Sequence, residues 1–290
     1  MRYIKLVDIN DKRLEPYFSL SETQLYHYFE PEAGVFIAES AKVVKRSLDA
    51  GYEPLSFLVE QEIIEDNDKS ASDAEICAIL SEYPNTVIYA IPRDIMSRVP
   101  GYAVTRGLLC CLRRKAMPTM EELCNNRNRI VVLESVDNPT NVGAIFRSAA
   151  ALFMDALLLT PDCADPLYRR AARVSMGTVF QIPYTYIESD SPMHYVDRLH
   201  ELGYKVAAMA LSDNSISIDD TCLKKCEKLA VLMGSEGDGL KQETIEKADY
   251  VVKIPMAEGI DSLNVSAAAA VTFWGISRIK AEFEEVKGKE

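Results

Sequence analysis

The sequence predicts an α/β fold whose C-terminal half contains a mostly parallel sheet. Short apolar runs alternate with segments of helical pattern along the chain, and this alternation is typical of layered α/β structures. In the C-terminal half, residues 130–133, 229–233 and 250–254 have the length of buried strands, and each run leads into a loop of polar or small residues. Because a chain of 290 residues is long enough for two cores, we place one domain at 1–120 and a second at 121–290.

The first predicted domain has an alternating order of strands and helices. Ser21 begins a short amphipathic helix, and Ser40 is the expected N-cap of a helix that Gly51 ends. The main elements are a strand at 35–39, a helix at 41–50, a strand at 55–59, a helix near 74–80 and a strand at 86–90. We interpret 104–123 as the connection to the second domain, and Pro118 is its clearest interruption of the pattern.

The second predicted domain continues the alternation. Ser262 is the expected N-cap of its final helix, whose alanine-rich start favours helix formation. Because parallel strands bring their carboxyl ends to one edge of a sheet, the loops after 229–233 and 250–254 should enclose a pocket. The predicted elements are a strand at 130–133, a helix at 142–152, strands at 156–159 and 180–183, a helix at 192–202, strands at 205–210, 229–233 and 250–254, and a helix to about residue 285.

The loop after 229–233 contains three glycines, Gly234, Gly237 and Gly239. Glycine permits positive φ and lets a ligand approach the main chain closely. The order G-x-x-G-x-G differs from the dinucleotide-binding motif, and the G-K-[ST] of a phosphate-binding loop is missing. Taken alone, this loop is as consistent with a tight connection as with a ligand site.

Another motif lies in the loop after 130–133 and the helix that follows it. The pattern N-P-x-N-x-G-x-I-x-R is formed by Asn138, Pro139, Asn141, Gly143, Ile145 and Arg147. The motifs continue with G-S-E-G-D-G from Gly234 and with I-P-M-x5-S-L-N-V-S from Ile254. In this order, and from about Asn126 to the C-terminus, the three motifs resemble the SpoU/TrmH branch of the SPOUT RNA methyltransferases.

This resemblance implies S-adenosylmethionine-dependent methylation of a ribose 2′-hydroxyl in RNA. It also implies a SPOUT domain with a deep trefoil knot, formed by the loops after Ala210, Met233 and Ile254, and a homodimer in which a second subunit completes the pocket. The segment with Phe273, Trp274, Ile276 and Ile279 is apolar enough for both core and interface. The first domain is similar to the small α/β domain, related to RNA-binding ribosomal proteins, that precedes many such enzymes, although these often have glycine where Ser40 stands.

The resemblance also implies roles for individual residues. Arg147 is the implied catalytic arginine, and because a guanidinium resists deprotonation we expect it to hold a phosphate and stabilise the developing alkoxide. Asn141 is expected to orient the ribose or Arg147, Glu236 to position Arg147 or the RNA, and Ser262 and Asn264 to order the loop and the hydroxyl. The implied cofactor-binding residues are Met209, Leu232, Met233, Gly234, Ile254, Met256 and Leu263. For Met209, Leu232 and Ile254, packing in the core is an alternative.

The formal net charge of −12 is unusual for a protein that binds nucleic acid. Local basic clusters would therefore have to contact phosphates, and binding should depend strongly on salt. Arg127 with Arg129 is one such cluster, and the other candidate RNA-binding residues are Arg106, Arg113, Arg114, Arg169 and Arg173.

Other features narrow the functional class. The seven cysteines include no C-x-x-C pair, and the three histidines fall outside the motifs, so we predict neither a metal site nor a disulfide framework. No apolar run approaches the ~18 residues of a membrane span, and the expected location is the cytoplasm. Ribosomal RNA is the favoured substrate because the first domain suits a folded rRNA element. Transfer RNA guanosine and a non-catalytic RNA-binding or ribosome-assembly factor are the alternatives.

Overall fold

A computed structural model of the chain describes residues 2–30, 32–66, 68–98, 107–188, 193–212, 214–259 and 262–277. The chain forms two compact units. The first unit comprises Met1–Ala116 and Leu167–Gln181, and the second comprises Met117–Pro166 and Ile182–Glu290. The segment Leu167–Gln181 thus belongs to the first unit, although it lies within the range 121–290 of the division made from sequence.

The strands, in chain order, fall into two sheets. Those of the first unit are β1 (Ile4–Lys5), β2 (Val35–Glu39), β3 (Pro54–Glu60), β4 (Val87–Ile91) and β5 (Leu108–Arg113). Those of the second unit are β6 (Arg129–Leu133), β7 (Ala156–Leu159), β8 (Tyr184–Tyr186), β9 (Lys205–Met209), β10 (Ile216–Ser217), β11 (Leu229–Met233) and β12 (Tyr250–Lys253).

The helices of the described residues are mostly short. They are α1 (Glu15–Phe18), α2 (Glu22–Tyr26), α3 (Ala41–Asp49), α4 (Gln61–Glu65), α5 (Ala71–Glu82), α6 (Arg93–Met96), α7 (Met120–Cys124), α8 (Pro139–Ala151), α9 (Arg169–Val174), α10 (Tyr195–Glu201), α11 (Thr221–Lys225), α12 (Gln242–Lys247) and α13 (Val265–Ile276). No helix in the described ranges is both long enough and apolar enough to cross a membrane.

The sheet of the first unit has the strand order β1-β4-β3-β5-β2. Strands β1, β4 and β3 are parallel, whereas β5 is antiparallel to both β3 and β2. The interpretation of 104–123 as a connection was therefore wrong for β5, which lies between two other strands. Its apolar run lacks alternation because nearly the whole strand is buried, which is typical of a strand covered on both faces.

The helix starts of the first unit follow the predictions in part. Ser21 is the N-cap of α2, where its hydroxyl accepts from the Gln24 main-chain N–H in a capping box. Ser40 precedes α3 but makes no side-chain capping hydrogen bond, because its backbone has φ 78° and ψ 149°. Ser40 is thus the N-cap by position, as predicted, but not through its side chain, and this backbone conformation favours glycine. Gly51, with φ 77°, follows the end of α3 as expected.

The sheet of the second unit has the order β10-β12-β9-β11-β6-β7-β8. Every neighbouring pair in it is parallel, which confirms the predicted parallel sheet. The carboxyl ends of β9, β11 and β12 therefore lie at one edge, with β9 between the other two. A buried core that includes Ile130, Val206 and Leu232 packs against this sheet.

Two predicted elements of the C-terminal half have different bounds. The strand predicted at 180–183 is instead a 3-10 turn at Thr178–Phe180, and β8 begins after Pro183. The apolar side chain of Phe180 packs against the rings of Phe36 and Tyr52, which explains an apolar pattern without a strand. The final helix, α13, ends at Ile276 because Ser277 is extended, and Ile279 lies outside the described residues.

Candidate functional site

Three loops at the carboxyl ends of β9, β11 and β12 enclose a cavity of about 620 Å³. The loop after β9 contributes Ala210 and Leu211, and the loop after β11 contributes its whole glycine-containing segment, residues 234–240. We call this segment the glycine loop. Ser262 and Asn264 line the cavity from the loop after β12. The structure thus brings together the loops that the sequence predicted to be neighbours, as expected for adjacent parallel strands.

Nearly all of the predicted cofactor-binding residues lie on this cavity. The exception is Leu232, which is fully buried and packs in the core. Successive strand residues point to opposite faces of a sheet, so Leu232 and the cavity-lining Met233 cannot share one surface. Leu232 therefore packs in the core and does not line the cavity, which was the alternative that the sequence left open. Those that line the cavity are Met209, Met233, Gly234, Ile254, Met256 and Leu263.

The glycine loop folds back on itself. The Gly239 N–H donates to the Ser235 carbonyl at 3.2 Å, and the Asp238 N–H lies 3.2 Å from the Ser235 hydroxyl. A Cβ built on Gly234 would lie 2.2 Å from the Gly239 carbonyl carbon, so only glycine allows this close approach. The glycine loop therefore has a compact backbone, and its three glycines line the cavity.

Asn264 joins the three motifs in one hydrogen-bonded cluster. Its side-chain Nδ2 donates to Asn141 Oδ1 at 3.2 Å and also to Glu236 Oε1. Its Oδ1 accepts the Ser266 N–H at 3.0 Å, so Asn264 is the N-cap of α13. The prediction of Ser262 as this N-cap was wrong, because the helix begins two residues later and Ser262 is exposed.

The packing of α8 against α13 brings Asn141 and Asn264 together. Asn141 is buried near the start of α8, with 6% of its surface exposed. Near the carboxyl end of β9, Met209 is held from α13 by a hydrogen bond, because the Thr272 hydroxyl donates to Met209 Sδ at 3.7 Å. The two helices thus hold two motif residues, Asn141 and Asn264, and the strand residue Met209 at one side of the cavity.

Arg147 lies on the exposed face of α8, outside this cluster. Asn141 and Arg147 are six residues apart on one helix, so their side chains point about 120° away from each other. Within the described residues, Arg147 makes neither a hydrogen bond nor an ion pair. Its guanidinium is therefore exposed and unpaired with respect to that part of the chain.

The candidate RNA-binding arginines of the first unit have protein partners. Arg169 and Arg173 approach the buried Glu39 carboxylate at 3.5 and 3.2 Å, and Arg169 also donates to the Pro16 and Tyr17 carbonyls. Burial raises the pKa of Glu39 in spite of the two arginines. The part of the Arg169 side chain that remains exposed is only 14%, which leaves little of it for phosphate contact.

Arg113 and Arg114, two further candidates in the first unit, are partly exposed. Arg113 donates to Glu53 at 2.9 Å and lies over the Phe29 ring, and Arg114 lies over the Tyr26 ring. Arg106 lies outside the described residues.

One basic cluster proposed from sequence in the second unit is excluded. Arg129 is 3% exposed and donates to the Glu227 and Cys226 carbonyls, so the expectation that it contacts phosphate with Arg127 was wrong. No group of three or more His, Cys, Asp or Glu side chains that could hold a metal ion occurs in the part of the chain that the structure describes.

Sequence reasoning missed Glu134, a buried carboxylate immediately after β6. Its oxygens accept from the Lys241 main-chain N–H, next to the glycine loop, and from two hydroxyls. A charged residue that directly follows an apolar strand, and precedes a motif loop, was the available signal.

Comparisons with known proteins agree with this geometry. The sequence model of the SpoU rRNA Methylase family matches residues 128–274. An uncharacterized tRNA/rRNA methyltransferase of Mycobacterium bovis is 34% identical over 273 residues, which cover 93% of this chain and 90% of the relative. The 23S rRNA (guanosine(2553)-2'-O)-methyltransferase RlmP of Bacillus subtilis is 27% identical over 189 residues, which cover 62% of this chain and 74% of RlmP.

Solved structures share the fold over nearly the whole chain. The AdoMet-bound rRNA methyltransferase from Sinorhizobium meliloti has a TM-score of 0.78 and 21% identity, with 96% of this chain and 98% of that chain covered. The SpoU methyltransferase AviRb from Streptomyces viridochromogenes, in complex with AdoMet, has a TM-score of 0.75 and 19% identity, with 94% and 99% covered. With the family match over half of its length, the chain belongs to the SpoU rRNA methylase family, within the SpoU/TrmH branch of the SPOUT RNA methyltransferases.

Proposed function

We propose that the protein transfers a methyl group from S-adenosylmethionine to a ribose 2′-hydroxyl of RNA, with ribosomal RNA as the favoured substrate. The observation that carries the proposal is the cluster of Asn141, Glu236 and Asn264, in which three motifs of an RNA methyltransferase family meet at one cavity. The 2′-O-methyltransferase RlmP supports the ribose as the target. Relatives named for both tRNA and rRNA keep transfer RNA as the alternative substrate.

The cavity fits the proposed cofactor in size and lining. Its volume of about 620 Å³ lies within the usual range for small-molecule sites. Met209, Met233 and Leu263 offer apolar walls for a purine ring, and the main chain of the glycine loop offers amides and carbonyls for its polar edge. When bound, S-adenosylmethionine supplies an activated sulfonium methyl group.

The residues of the chain would mainly align the RNA hydroxyl and assist the loss of its proton. Asn264 holds Asn141 and Glu236 in place, so the cluster is fixed before RNA arrives. Arg147, which has no partner among the described residues, is available to hold an RNA phosphate and to stabilise negative charge on the ribose oxygen. The proton would then leave through phosphate or water, because the guanidinium remains charged.

We infer that the loops after β9, β11 and β12 form a trefoil knot. The inference is supported by their common cavity and by the neighbouring positions of strands that are distant in the chain. The first unit is proposed to recognise RNA as a ribosomal-protein-like domain, with the partly exposed Arg113 and Arg114 as candidates. Contacts by Arg106, Arg169 and Arg173 stay predictions.

We also propose a homodimer, in which a second copy covers the outer face of α13. Val271 and Trp274 are three residues apart on α13 and are 43% and 53% exposed. Neighbouring exposed apolar side chains of this kind favour burial against another protein surface. Sedimentation of the Trp274→Asp variant should show a monomer where the natural chain sediments as a dimer. A natural chain that is itself monomeric would contradict this part of the proposal.

The function is tested by calorimetry with S-adenosylmethionine, followed by transfer of labelled methyl to RNA from a strain that lacks the protein. Mapping of the modified nucleotide then identifies the RNA and the ribose. We expect binding and methylation at one 2′-oxygen. A chain that binds RNA but not the cofactor would instead support the non-catalytic RNA-binding or assembly factor.

A further inference from the structure

Glu134 connects the end of β6 to the glycine loop. Its side chain is 1% exposed, and its carboxylate accepts three hydrogen bonds, from the Lys241 main-chain N–H at 2.6 Å, the Tyr195 hydroxyl at 2.5 Å and the Thr244 hydroxyl at 2.7 Å. In the described residues, neither a lysine nor an arginine forms an ion pair with it. The carboxyl group is therefore held by one main-chain N–H and two hydroxyls.

These contacts hold both ends of the glycine loop. The Glu134 N–H donates to the carbonyl of Met233, the residue before the loop, at 2.9 Å. Its carboxylate accepts from Lys241, the residue after the loop. Between these ends, Glu236 and Asp238 are exposed, and the contacts of the middle of the loop are those of Ser235 with Asp238 and Gly239 and the hydrogen bond from Asn264 to Glu236. One residue thus fixes the separation of the two ends.

The remaining donors keep the carboxylate in one orientation. Burial and the hydrogen bond to Glu134 raise the pKa of Tyr195, so its hydroxyl stays protonated and continues to donate. Thr244 belongs to α12, which begins directly after Lys241. The buried carboxylate therefore fixes the end of the loop and the helix behind it together.

We propose that Glu134 is a positioning residue that sets the affinity of the cavity for its cofactor by fixing both ends of the glycine loop. This proposal rests on the proposed function, since the cofactor is the ligand whose affinity changes. It goes beyond the motif residues, because Glu134 does not line the cavity.

The test removes the hydrogen bond between Glu134 and the Lys241 N–H, once from the acceptor and once from the donor. Glu134→Met removes the acceptor at similar volume, and Glu134→Gln retains an acceptor for the Lys241 N–H. Lys241→Pro removes that N–H alone, at a residue whose φ of −62° suits proline, and Lys241→Ala is its matched control. Thr244→Val removes a different donor from the same carboxylate. Cooperative thermal unfolding is required of each variant before it is compared.

The first readout is hydrogen exchange of the glycine loop without cofactor, and the second is the Kd of S-adenosylmethionine by calorimetry. A buried polar group without its partner weakens the Kd by about ten-fold or more in Glu134→Met and Lys241→Pro, with faster loop exchange. Glu134→Gln, Lys241→Ala and Thr244→Val should stay within about three-fold of the natural chain, because the contact with the Lys241 N–H is kept. Turnover at saturating cofactor should change less than the Kd.

Unchanged loop exchange in a folded Lys241→Pro or Glu134→Met variant would overturn the proposal. A loss of affinity in Thr244→Val equal to that in Glu134→Met would also overturn it, because general destabilisation would then explain both. If the natural chain fails to bind S-adenosylmethionine, the proposed function is wrong, while hydrogen exchange still tests the control of the loop by Glu134.

Discussion

The two units stabilise their buried carboxylates in different ways. In the first unit, Glu39 at the end of β2 is 2% exposed and lies against two arginines, Arg169 and Arg173. In the second unit, Glu134 after β6 is 1% exposed and accepts from a main-chain N–H and two hydroxyls. Both carboxyl groups join segments distant in the chain, but Glu39 does so through charged side chains and Glu134 through neutral donors beside a cavity loop.

The arginines show the same difference. Arg169 of the first unit has its hydrogen bonds satisfied by carbonyls and by Glu39. Arg147 of the second unit is exposed on α8 and has no such partner in the described residues. A paired arginine contributes to stability, and an unpaired one beside a motif remains available for substrate. The following changes test this distinction.

The largest expected effect is that of Arg147→Ala on turnover. Loss of a group that assists proton transfer should lower methylation by about 10²–10⁴-fold, with little change in the Kd of S-adenosylmethionine. Single-turnover methylation and calorimetry measure the two quantities separately. Arg147→Lys, which keeps the charge but loses the planar fork, should recover only part of the rate. Near-normal methylation by Arg147→Ala would remove this residue from the mechanism.

Arg169→Ala should have the opposite result, a loss of stability with cofactor affinity retained. The change removes one partner of buried Glu39 and should lower the free energy of unfolding by about 1–3 kcal/mol. Arg170→Ala, at the exposed neighbour, is the matched control and should stay within about 0.5 kcal/mol of the natural chain. Urea denaturation measures both. Equal unfolding free energies for the two variants would contradict the role assigned to Arg169.

The raised pKa of Glu39 gives a pH dependence with a definite sign. The folded protein holds this proton more tightly than the unfolded chain, so the contribution to stability is full at low pH and is lost as the pH rises through the raised pKa. Glu39→Gln stays neutral and lacks this loss. Denaturation at pH 4 and pH 7 should therefore show that the free energy of unfolding of the variant, relative to that of the natural chain, is higher at pH 7 than at pH 4. If the variant instead loses stability relative to the natural chain at the higher pH, the two arginines lower the pKa of Glu39 by more than burial raises it.

The smallest expected effect comes from Ser40→Gly. Its φ of 78° and ψ of 149° are strained for any residue with a Cβ. Relief of this strain stabilises the variant, and the greater flexibility of glycine in the unfolded chain offsets part of this effect. The free energy of unfolding should therefore rise by about 0.5–1 kcal/mol. Thermal unfolding would measure it, with Ser21→Gly at an unstrained N-cap as the control that should lose stability. Lower stability of Ser40→Gly would show that the strain is absorbed elsewhere.

The sequence predicted the site better than it predicted the first unit. Motif loops follow strands of clear apolar pattern, and parallel strands bring such loops together, so Asn141, Glu236 and Asn264 could be expected to meet. Strand alternation separated Leu232 from Met233, and the position of the N-cap at Asn264 depended on local hydrogen bonds. β5 was missed because its apolar run was treated as a connection.

Pairings over long distances could not be predicted from local pattern. Glu39 and Arg169 are far apart in the chain, and only the folded backbone places them at 3.5 Å. The same holds for Glu134 and Lys241. A single sequence shows which residue types are present, but the partner of a charged side chain depends on the tertiary structure.

The double use of Asn264 makes the site sensitive to chemical ageing. Its oxygen caps α13 and its nitrogen binds Asn141 and Glu236. Deamidation would leave an aspartate, which caps a helix equally well, but would replace the donor with an acceptor facing two other acceptors. Stored protein altered in this way would melt normally and yet have lost the junction of its motifs.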